Sequence, residues 1–486
     1  MAPQHILFVE PAGSEFNVYS KFMKIPLLGP LYLSTLARSF GYKTTIINEN
    51  ILERHISDSE LLSADTLCLT CMTPTVKRGI TIARQYKNLR DRAALPSRAI
   101  IGGIHPSMLP RELSGEFDCV VCGEGETVLK EVLEGTGKEK IITAPKVEDL
   151  DSLPLPDFSL VQGLGDLNNW PVMTSRGCPF TCNFCSVTKM FGRSYRAQSP
   201  ERVFDEIFRF KSGSVFFVDD NFAADRRRTH VIVDGMIKYR FNLSWTAQVR
   251  TDITRDIDLV KKMAVAGCST VYVGLESINP RSLLEMKKSQ NLQDIKRALA
   301  ILGNAGIQVH AMFMLGNDPD TPGIFKATSQ FAKTANIDYF QCNVLTPLPG
   351  TELFDNYQRQ GRLLHKNWEY YDGLHVVFHP ARMSALTLQN GMLRCFSSFY
   401  NYSNALRGTV SGAKKILGSA GKNSSPFLRL ASQKLQPSLM KIAGKSIIRS
   451  WQQQNSPYLQ YLRKVCCPNG NPIRDRDQST SRHHSP

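Results

Sequence analysis

The sequence predicts an α/β protein in which a doubly wound, flavodoxin- or Rossmann-like parallel sheet precedes a partial (β/α)6 barrel and a mainly helical, basic C-terminal region. Three features support this. Short apolar strands alternate with helical segments in the N-terminal third, six further strand–helix units follow, and the C-terminal region lacks acidic residues. Strands that alternate with helices in this way indicate parallel sheets covered on both faces.

The chain is long enough, at 486 residues, for several domains. The predicted boundaries are 1–145 for the first sheet, 146–165 for a proline-rich linker, 166–375 for the barrel, 376–470 for the basic helical region and 471–486 for a disordered tail. The N-terminus has no basic leader, and no apolar run reaches the length of a membrane span. We therefore expect a cytoplasmic protein.

The first domain is predicted from five strand-like segments with helices between them, "HILFVEP", "KTTIINEN", "DTLCLTCMT", "RAIIGGIHP" and "DCVVCGEGE". A doubly wound sheet binds ligands outside the carboxyl ends of its strands. Gly102, Gly103, Gly123 and Gly125 fall at such ends, where glycine lets the backbone approach a large flat or phosphorylated ligand. Ordinary turn chemistry is the alternative explanation.

The second domain is predicted from the strands "WPVMTSRGC", "SVFFVDDNF", "LSWTAQVRTD", "CSTVYVGLES", "IQVHAMFMLGN" and "DYFQCNVLTPLPG". In an α/β barrel the functional site lies at the C-terminal ends of the strands. Polar residues collect there, and each could also be a helix cap or a loop ion pair. They are Cys178, Asp219, Asp220, Asn221, Arg250, Asp252, Glu276, Asn317 and Asp318.

The segment "SRGCPFTCNFC" carries Cys178, Cys182 and Cys185 on one loop. Three thiolates in this spacing suit three irons of a cubane 4Fe–4S cluster. A ferredoxin cluster takes four thiolates, so one iron would stay open for an exogenous ligand. A zinc site would require a nearby histidine or a fourth thiol, and neither occurs between Met173 and Arg228. The CxxC pairs at Cys68 and Cys119 lie in strands, which directs their thiols to opposite faces.

The CxxxCxxC motif, with Phe184 before its last cysteine, resembles that of the radical S-adenosylmethionine (SAM) superfamily. The resemblance implies that the three cysteines hold the cluster and that SAM chelates the open iron and yields a 5′-deoxyadenosyl radical. It also implies SAM-binding roles for four short segments. "VDDN" (Asp219, Asp220, Asn221) would contact the amino group, Arg250 the carboxylate, Glu276 the ribose and Gly316 the region of the adenine.

The N-terminal segments "GGIHPSMLPREL" and "DCVVCGEGE" resemble the cobalamin (B12)-binding-type domain fused ahead of many radical SAM enzymes. The resemblance covers roughly residues 1–375. The DxHxxG motif, whose histidine ligates cobalt in other cobalamin proteins, is absent from the first strand–helix loop. His105 is a candidate neighbour of the corrin, and a loop-capping role is the alternative.

The basic region has no Asp or Glu from Gly373 to Arg474 but 14 Lys and Arg residues, which account for most of the net charge of +16. Residues 438–453 predict an amphipathic helix, with Met440, Ala443 and Trp451 on its apolar side and Lys441, Lys445 and Arg449 beside them. This favours peripheral binding to an anionic membrane at its inner face. A helical cap on the barrel with a basic outer face is the alternative. We expect no nucleic-acid partner.

The resemblance therefore predicts a radical SAM enzyme that uses a 4Fe–4S cluster, SAM and cobalamin. We favour methylation of an unactivated carbon on a hydrophobic, lipid-like or natural-product substrate. The alternative is cobalamin-independent cyclisation, C–C coupling or oxidative rearrangement, and a non-catalytic corrinoid or Fe–S sensor is the non-enzymatic reading. A reductant such as flavodoxin or ferredoxin is expected as a partner.

Overall fold

The computed structural model describes residues 3–15, 17, 24–137, 139–165, 167–335, 337–401, 403–404 and 424–466; in the last segment, side chains are described at 437 and from 439 onward. Its first six strands are β1 (His5–Glu10), β2 (Lys43–Asn48), β3 (Thr66–Thr70), β4 (Ala99–Gly102), β5 (Cys119–Gly123) and β6 (Ile141–Ala144). They pair in parallel in the order β2-β1-β3-β4-β5-β6. The predicted doubly wound sheet is confirmed.

The helices of this half are α1 (Leu28–Ser39), α2 (Glu49–Leu52), α3 (Asp58–Leu62), α4 (Val76–Arg92), α5 (Ile104–Met108) and α6 (Leu129–Glu134). Helices α1 and α6 pack on one face of the sheet, and α3 and α4 pack on the other. Cys68 and Cys119 lie in the core under α1 and α6, whereas Cys71 and Cys122 lie in the core under α3 and α4, as the alternation of side chains along a strand requires.

Strand β6 was not predicted from the sequence. It is a four-residue edge strand beside β5, and three of its four side chains are part-exposed or exposed. Such a short segment with little apolar burial carries no strong periodicity. Its strand conformation follows from pairing with β5.

The second sheet is formed by β7 (Asn169–Val172), β10 (Ser214–Phe217), β11 (Ser244–Val249), β12 (Cys268–Glu276), β13 (Gln308–Leu315) and β14 (Tyr339–Val344). All neighbours are parallel, and β7 and β14 are the two edges, so the predicted partial barrel is confirmed. The segment predicted as one strand is divided, because β8 (Ser175–Arg176) leaves the sheet and pairs antiparallel with β9 (Arg196–Ala197).

The barrel helices pack outside these strands. They are α7 (Val187–Met190), α8 (Pro200–Ile207), α9 (Arg226–Lys238), α10 (Ile257–Val265), α11 (Pro280–Glu285), α12 (Leu292–Asn304), α13 (Gly323–Thr334) and α14 (Glu352–Arg359). Alternate strand side chains such as Val309, Ala311 and Phe313 are fully buried in the helix-side core. The opposite face keeps part-exposed side chains, including His310 and Met312, and lines the barrel interior.

Three further helices follow, α15 (Ala385–Phe399), α16 (Ser424–Gln454) and α17 (Ser456–Cys466). Leu388, Trp451 and Leu462 from these helices belong to the same core as the barrel strands. The C-terminal helices therefore cap the barrel. None of the helices in the described residues is long and apolar enough to cross a membrane.

The predicted orientation of the amphipathic helix is wrong at three positions. Lys441 is buried, with its ammonium group 5.0 Å from the ring centre of Phe399, and burial lowers its pKa. Gly444, Ile448 and Trp451 share this buried face, whereas Met440 and Ala443 are exposed. The helical period explains this, because steps of three and four residues place 441, 444, 448 and 451 on one side. The predicted tail, 471–486, lies outside the described residues.

Candidate functional site

An apolar cavity of about 280 Å³ lies where the two sheets meet. Strand ends of the first sheet line one wall, at Thr70, Gly102 and Gly123, and barrel residues that include Val218 and Asp220 line the other. The cavity continues along the first sheet between its strands and helices α1 and α6. A doubly wound sheet binds ligands at this edge, so the cavity is the candidate binding site.

The four predicted glycines, Gly102, Gly103, Gly123 and Gly125, all line this cavity. At Gly103 φ is +104°, and an added Cβ would lie 2.7 Å from the carbonyl oxygen of Cys71. At Gly123 φ is +91°, and a Cβ would lie 2.9 Å from the carbonyl oxygen of Ala144. These two positions require glycine, and the absence of side chains at all four keeps the wall open.

His105 does not line the cavity, so the structure gives no support to the expectation that it neighbours a corrin. Its ring is buried, Nδ1 lies 3.3 Å from Thr73 Oγ1, and the ring packs edge-on against Trp368 at 5.3 Å. Burial lowers the pKa of His105 to about 4. The histidine is therefore held neutral on α5 itself, on the side of the first sheet that faces away from the cavity.

The three motif cysteines lie on the loop that connects β8 to β9, and all three are half-buried. Burial raises the pKa of Cys178, and it raises the pKa of Cys185 to about 12. Each of these two thiols also experiences the charges of Cys182 and Asp220. Within the described residues, however, no three His, Cys, Asp or Glu side chains are already gathered closely enough to hold a metal ion.

These thiols fit an iron–sulfur cluster by their chemistry. A metal stabilises the thiolate form that burial disfavours, and cluster binding can draw together three thiols on one short loop. The β8–β9 hairpin holds the two ends of that loop, at Arg176 and Arg196.

The two aspartates after β10 differ in their environment. Asp219 is buried, and its Oδ1 accepts hydrogen bonds from Thr174 N, Thr174 Oγ1 and Ser175 Oγ. This carboxylate fixes the backbone before β8. Asp220 is exposed on the wall of the apolar cavity, and the surrounding protein, together with the charge of Asp219, raises its pKa above the ordinary value. Of the two, Asp220 is the one available to a ligand, and Asn221 is buried beside it.

Arg250 follows β11 and lies against the cluster loop. Its guanidinium carbon is 3.7 Å from the ring centre of Phe180, and its buried Nε has no hydrogen-bond partner. The nearest carboxylate oxygen is Asp252 Oδ1, at 3.9 Å from Nε. A buried guanidinium beside the cysteine loop, whose Nε makes no hydrogen bond and whose carboxylate partner is distant, is suited to an anionic group of a ligand.

Glu276 ends β12 with φ at +60°, which is unusual for a residue with a side chain. Lys288 Nζ donates to Glu276 Oε1 at 2.6 Å, and both side chains are buried. A Cβ at Gly274 would overlap this pair.

At Gly316, φ is +98°, and a Cβ would lie 2.5 Å from Leu388 on α15. Helix packing therefore accounts for this glycine without a ligand.

Sequence reasoning missed the contacts between the two halves. Arg176 donates to Glu124 at 2.7 Å and to Glu126 at 2.6 Å, and Arg196 donates to both oxygens of Glu124. Arg196 also donates to the carbonyl oxygen of Val147. The "GEGE" loop suggested only backbone turns, because nothing in the sequence links its carboxylates to arginines more than 50 residues away.

Comparison with known proteins agrees with this geometry. The radical SAM superfamily model matches residues 172–332, and the B12 binding domain model matches residues 23–133. An uncharacterized methyltransferase of Pyrococcus horikoshii is 28% identical over 77% of this chain and 88% of that protein. A bacteriochlorophyllide d C-12(1)-methyltransferase of Chlorobaculum tepidum is 26% identical over 82% of this chain and 88% of the relative. A hopanoid C-2 methylase of Rhodopseudomonas palustris is 30% identical over 47% of this chain and 45% of its own length.

The fold matches the solved structure of a radical SAM methyltransferase, TsrM of Kitasatospora setae, with a TM-score of 0.63 and 14% identity over 93% of this chain and 100% of that one. The chain is an enzyme of the radical SAM superfamily and carries an N-terminal B12-binding domain. The expected superfamily, fold class and cofactors, namely a 4Fe–4S cluster, SAM and cobalamin, are confirmed.

Proposed function

We propose that this enzyme methylates an unactivated carbon of a hydrophobic substrate. The observation that carries the proposal is the apolar cavity itself. Its walls include the glycine loops of the first sheet as well as Asp220 and Arg176, which flank the cysteine loop. A corrinoid above the first sheet and SAM at the barrel would therefore share one water-excluding chamber.

The chain supplies residues for each cofactor. Cys178, Cys182 and Cys185 hold the cluster, and Gly102, Gly103, Gly123 and Gly125 accommodate the corrinoid. Asp220, supported by Asp219 and Asn221, accepts from the SAM amino group, Arg250 pairs with its carboxylate and Glu276 accepts from the ribose hydroxyls. Gly316 is assigned to the adenine end. When bound, these cofactors supply a reducing electron, a 5′-deoxyadenosyl radical and a methyl group.

The substrate class follows from the barrel interior. Its part-exposed strand side chains include Phe216, Tyr272, His310, Met312 and Met314, none of which is charged at neutral pH. Burial lowers the pKa of His310 to about 4, and its ring stacks on Tyr272 at 4.4 Å. The same face also carries the neutral polar side chains of Thr246, Gln248, Gln341 and Asn343. An uncharged interior with aromatic and thioether surfaces favours a substrate that is largely apolar. The relatives that methylate a bacteriochlorophyllide and a hopanoid support the same class.

Peripheral membrane binding is part of this proposal, because a lipid-like substrate resides in a membrane. Leu439, Met440 and Ile442 of α16 are 64%, 43% and 43% exposed, and the exposed cations Lys445 and Arg449 follow on the same helix. Exposed apolar side chains beside cations suit an anionic lipid surface.

Lys445→Glu with Arg449→Glu should reduce sedimentation with phosphatidylglycerol vesicles, whereas Lys296→Glu with Arg297→Glu on α12 should not. Equal sedimentation of all three proteins with acidic and neutral vesicles would contradict the proposal.

The reaction is tested with the purified, anaerobically reconstituted protein. We expect bound cobalamin by mass spectrometry and formation of 5′-deoxyadenosine from SAM after reduction with dithionite. With a membrane-lipid extract and methyl-labelled SAM, label should enter a lipid product. Deoxyadenosine without bound corrinoid or label transfer would support a cyclisation or rearrangement, and the absence of deoxyadenosine would contradict radical chemistry.

A further inference from the structure

The cysteine loop borders a second cavity, which lies on the other side of α7 from the apolar one. Met190 and Phe191 at the end of α7 line the apolar cavity, whereas Thr188 and Lys189 line the second. The second cavity has a volume of about 310 Å³, and α14 forms its opposite wall. Cys182 and Cys185 both line it, so the loop can be approached from a side that the substrate chamber does not use.

The second cavity is lined by polar residues and cysteines, with three cations and two carboxylates among them. We call it the basic basin, and its lining residues with charged side chains are Lys189, Arg193, Arg359, Glu352 and Asp355. All five side chains are exposed. At the rim, Lys287 Nζ lies 2.8 Å from Glu352 Oε2 and compensates that carboxylate. Cations therefore outnumber carboxylates around the two thiols.

The basin is unsuited to the substrate. Every residue that lines it is polar or a cysteine, whereas the chamber on the other side of α7 is apolar. A reacting carbon must lie beside SAM, but an electron donor needs only to approach the edge of the cluster. An exposed basic surface beside two cluster ligands meets that requirement, because complementary charge accelerates the encounter with an acidic protein.

We propose that the basic basin is the docking surface for an acidic one-electron carrier protein, an inference that rests on the proposed function. In the step it serves, the carrier loses one electron and the cluster gains one. No covalent bond forms or breaks between the two proteins.

The test compares two reductants on the same reconstituted enzyme. Flavodoxin hydroquinone is the acidic protein donor, and dithionite is the small donor that needs no docking surface. In Lys189→Glu/Arg193→Glu/Arg359→Glu, the second-order rate of cluster reduction by flavodoxin at low salt should fall at least about tenfold. The rate with dithionite, the iron content and dithionite-driven SAM cleavage should stay unchanged. The wild-type flavodoxin rate should also fall as salt rises, because the Debye length shrinks to about 10 Å at 0.1 M.

The matched control is Lys261→Glu/Lys296→Glu/Arg297→Glu, which changes the net charge by the same amount as the basin variant. Its three substituted side chains lie on α10 and α12 and are also exposed. It should retain the flavodoxin rate. An equal loss in both variants, or a flavodoxin rate unchanged in the basin variant, would overturn the proposed surface. A parallel loss with dithionite would show that these residues act on the cluster itself and would also overturn it. Failure of the wild type to cleave SAM with dithionite would instead refute the proposed function.

Discussion

Arg176 and Glu124 form a buried ion pair that joins the cysteine loop to the first sheet, with Arg176 Nη1 donating to Glu124 Oε2 at 2.7 Å. The two side chains are 4% and 1% exposed. Burial by itself would raise the pKa of Glu124, but hydrogen bonds from Arg196 and Arg176 and the charge of Arg176 hold it below its usual value. The end of β5 is thereby fixed to both ends of the hairpin that carries the three cysteines.

Glu124→Gln should destabilise the protein strongly. The change leaves Arg176 and Arg196 buried beside a neutral amide, and loss of one partner of a buried ion pair costs about 3–5 kcal/mol. Thermal unfolding should show a lower midpoint for Glu124→Gln than for Glu148→Gln, which alters an exposed linker carboxylate. A carboxyl group whose pKa is lowered by folding stabilises the folded state only while it is ionised. The difference in unfolding midpoint between the two variants should therefore shrink in acid. Equal midpoints at neutral pH would show that the pair contributes little.

Cys182→Ala should prevent assembly of the cluster. Only three thiols are available on the loop, so removal of one leaves two irons with protein ligands. Iron and sulfide analysis after reconstitution should give near-zero content, with loss of SAM cleavage. Cys68→Ala, which removes a buried thiol from the first sheet, should retain the cluster. A full complement of iron and sulfide in Cys182→Ala would refute the ligand assignment.

Glu276→Gln should weaken SAM binding about 10- to 100-fold, because a charged acceptor contributes roughly 1.5–3 kcal/mol to a hydrogen bond. The same change also breaks the pair with Lys288. Lys288→Gln serves as the control, since it breaks the pair but leaves the carboxylate. Equilibrium binding of SAM should fall markedly more in Glu276→Gln than in Lys288→Gln. Equal losses would assign Glu276 to a structural role.

Gly125→Leu should reduce cobalamin binding at least about tenfold, which corresponds to 1.4 kcal/mol. Gly125 lines the apolar cavity, its φ is not in the left-handed region, and a Cβ there would make only ordinary van der Waals contacts, with Leu33 Cδ2 at 3.5 Å and Val121 Cγ1 at 3.7 Å. A larger side chain should therefore fill the cavity without straining the backbone. Titration with hydroxocobalamin measures the effect. Gly115→Leu, where a Cβ meets nothing within 4 Å, should bind normally; equal affinity in the two variants would place the corrinoid elsewhere.

His375 should stabilise the C-terminal cap more at low pH than at high pH. Burial acts to lower its pKa, but the charge of Asp372 and the hydrogen bonds that the ring donates to Asp372 and Asn455 outweigh burial and raise it. A histidine whose pKa is raised by folding stabilises the folded state fully when the pH lies below its pKa in the unfolded chain. That contribution is lost as the pH rises through its pKa in the folded protein. The difference in unfolding midpoint between wild type and His375→Gln should therefore be largest near pH 6 and decline above the ordinary histidine pKa. Arg394→Gln, an exposed change on α15, should show no such trend, and a pH-independent difference for His375→Gln would refute the charged state.

The sequence by itself determined the two parallel sheets and the candidate cofactor loops. Apolar strands that alternate with helices have one strongly favoured arrangement, and the carboxyl ends of parallel strands lie at one edge. This reasoning located Gly102 and Gly123 correctly at strand ends, whereas Cys178 follows the short strand β8 outside the barrel sheet. The cysteine spacing indicated the cluster because its ligands lie within one short loop.

Only the tertiary structure decided what depends on contacts between distant segments. It separated Asp219, which hydrogen-bonds Thr174 and Ser175, from Asp220, which lines the cavity, although the two residues are adjacent in the chain. It also turned Lys441 inward onto Phe399 and joined Glu124 to Arg176. A local pattern specifies an element and its faces, but which neighbour covers a face or neutralises a charge is fixed when the elements pack.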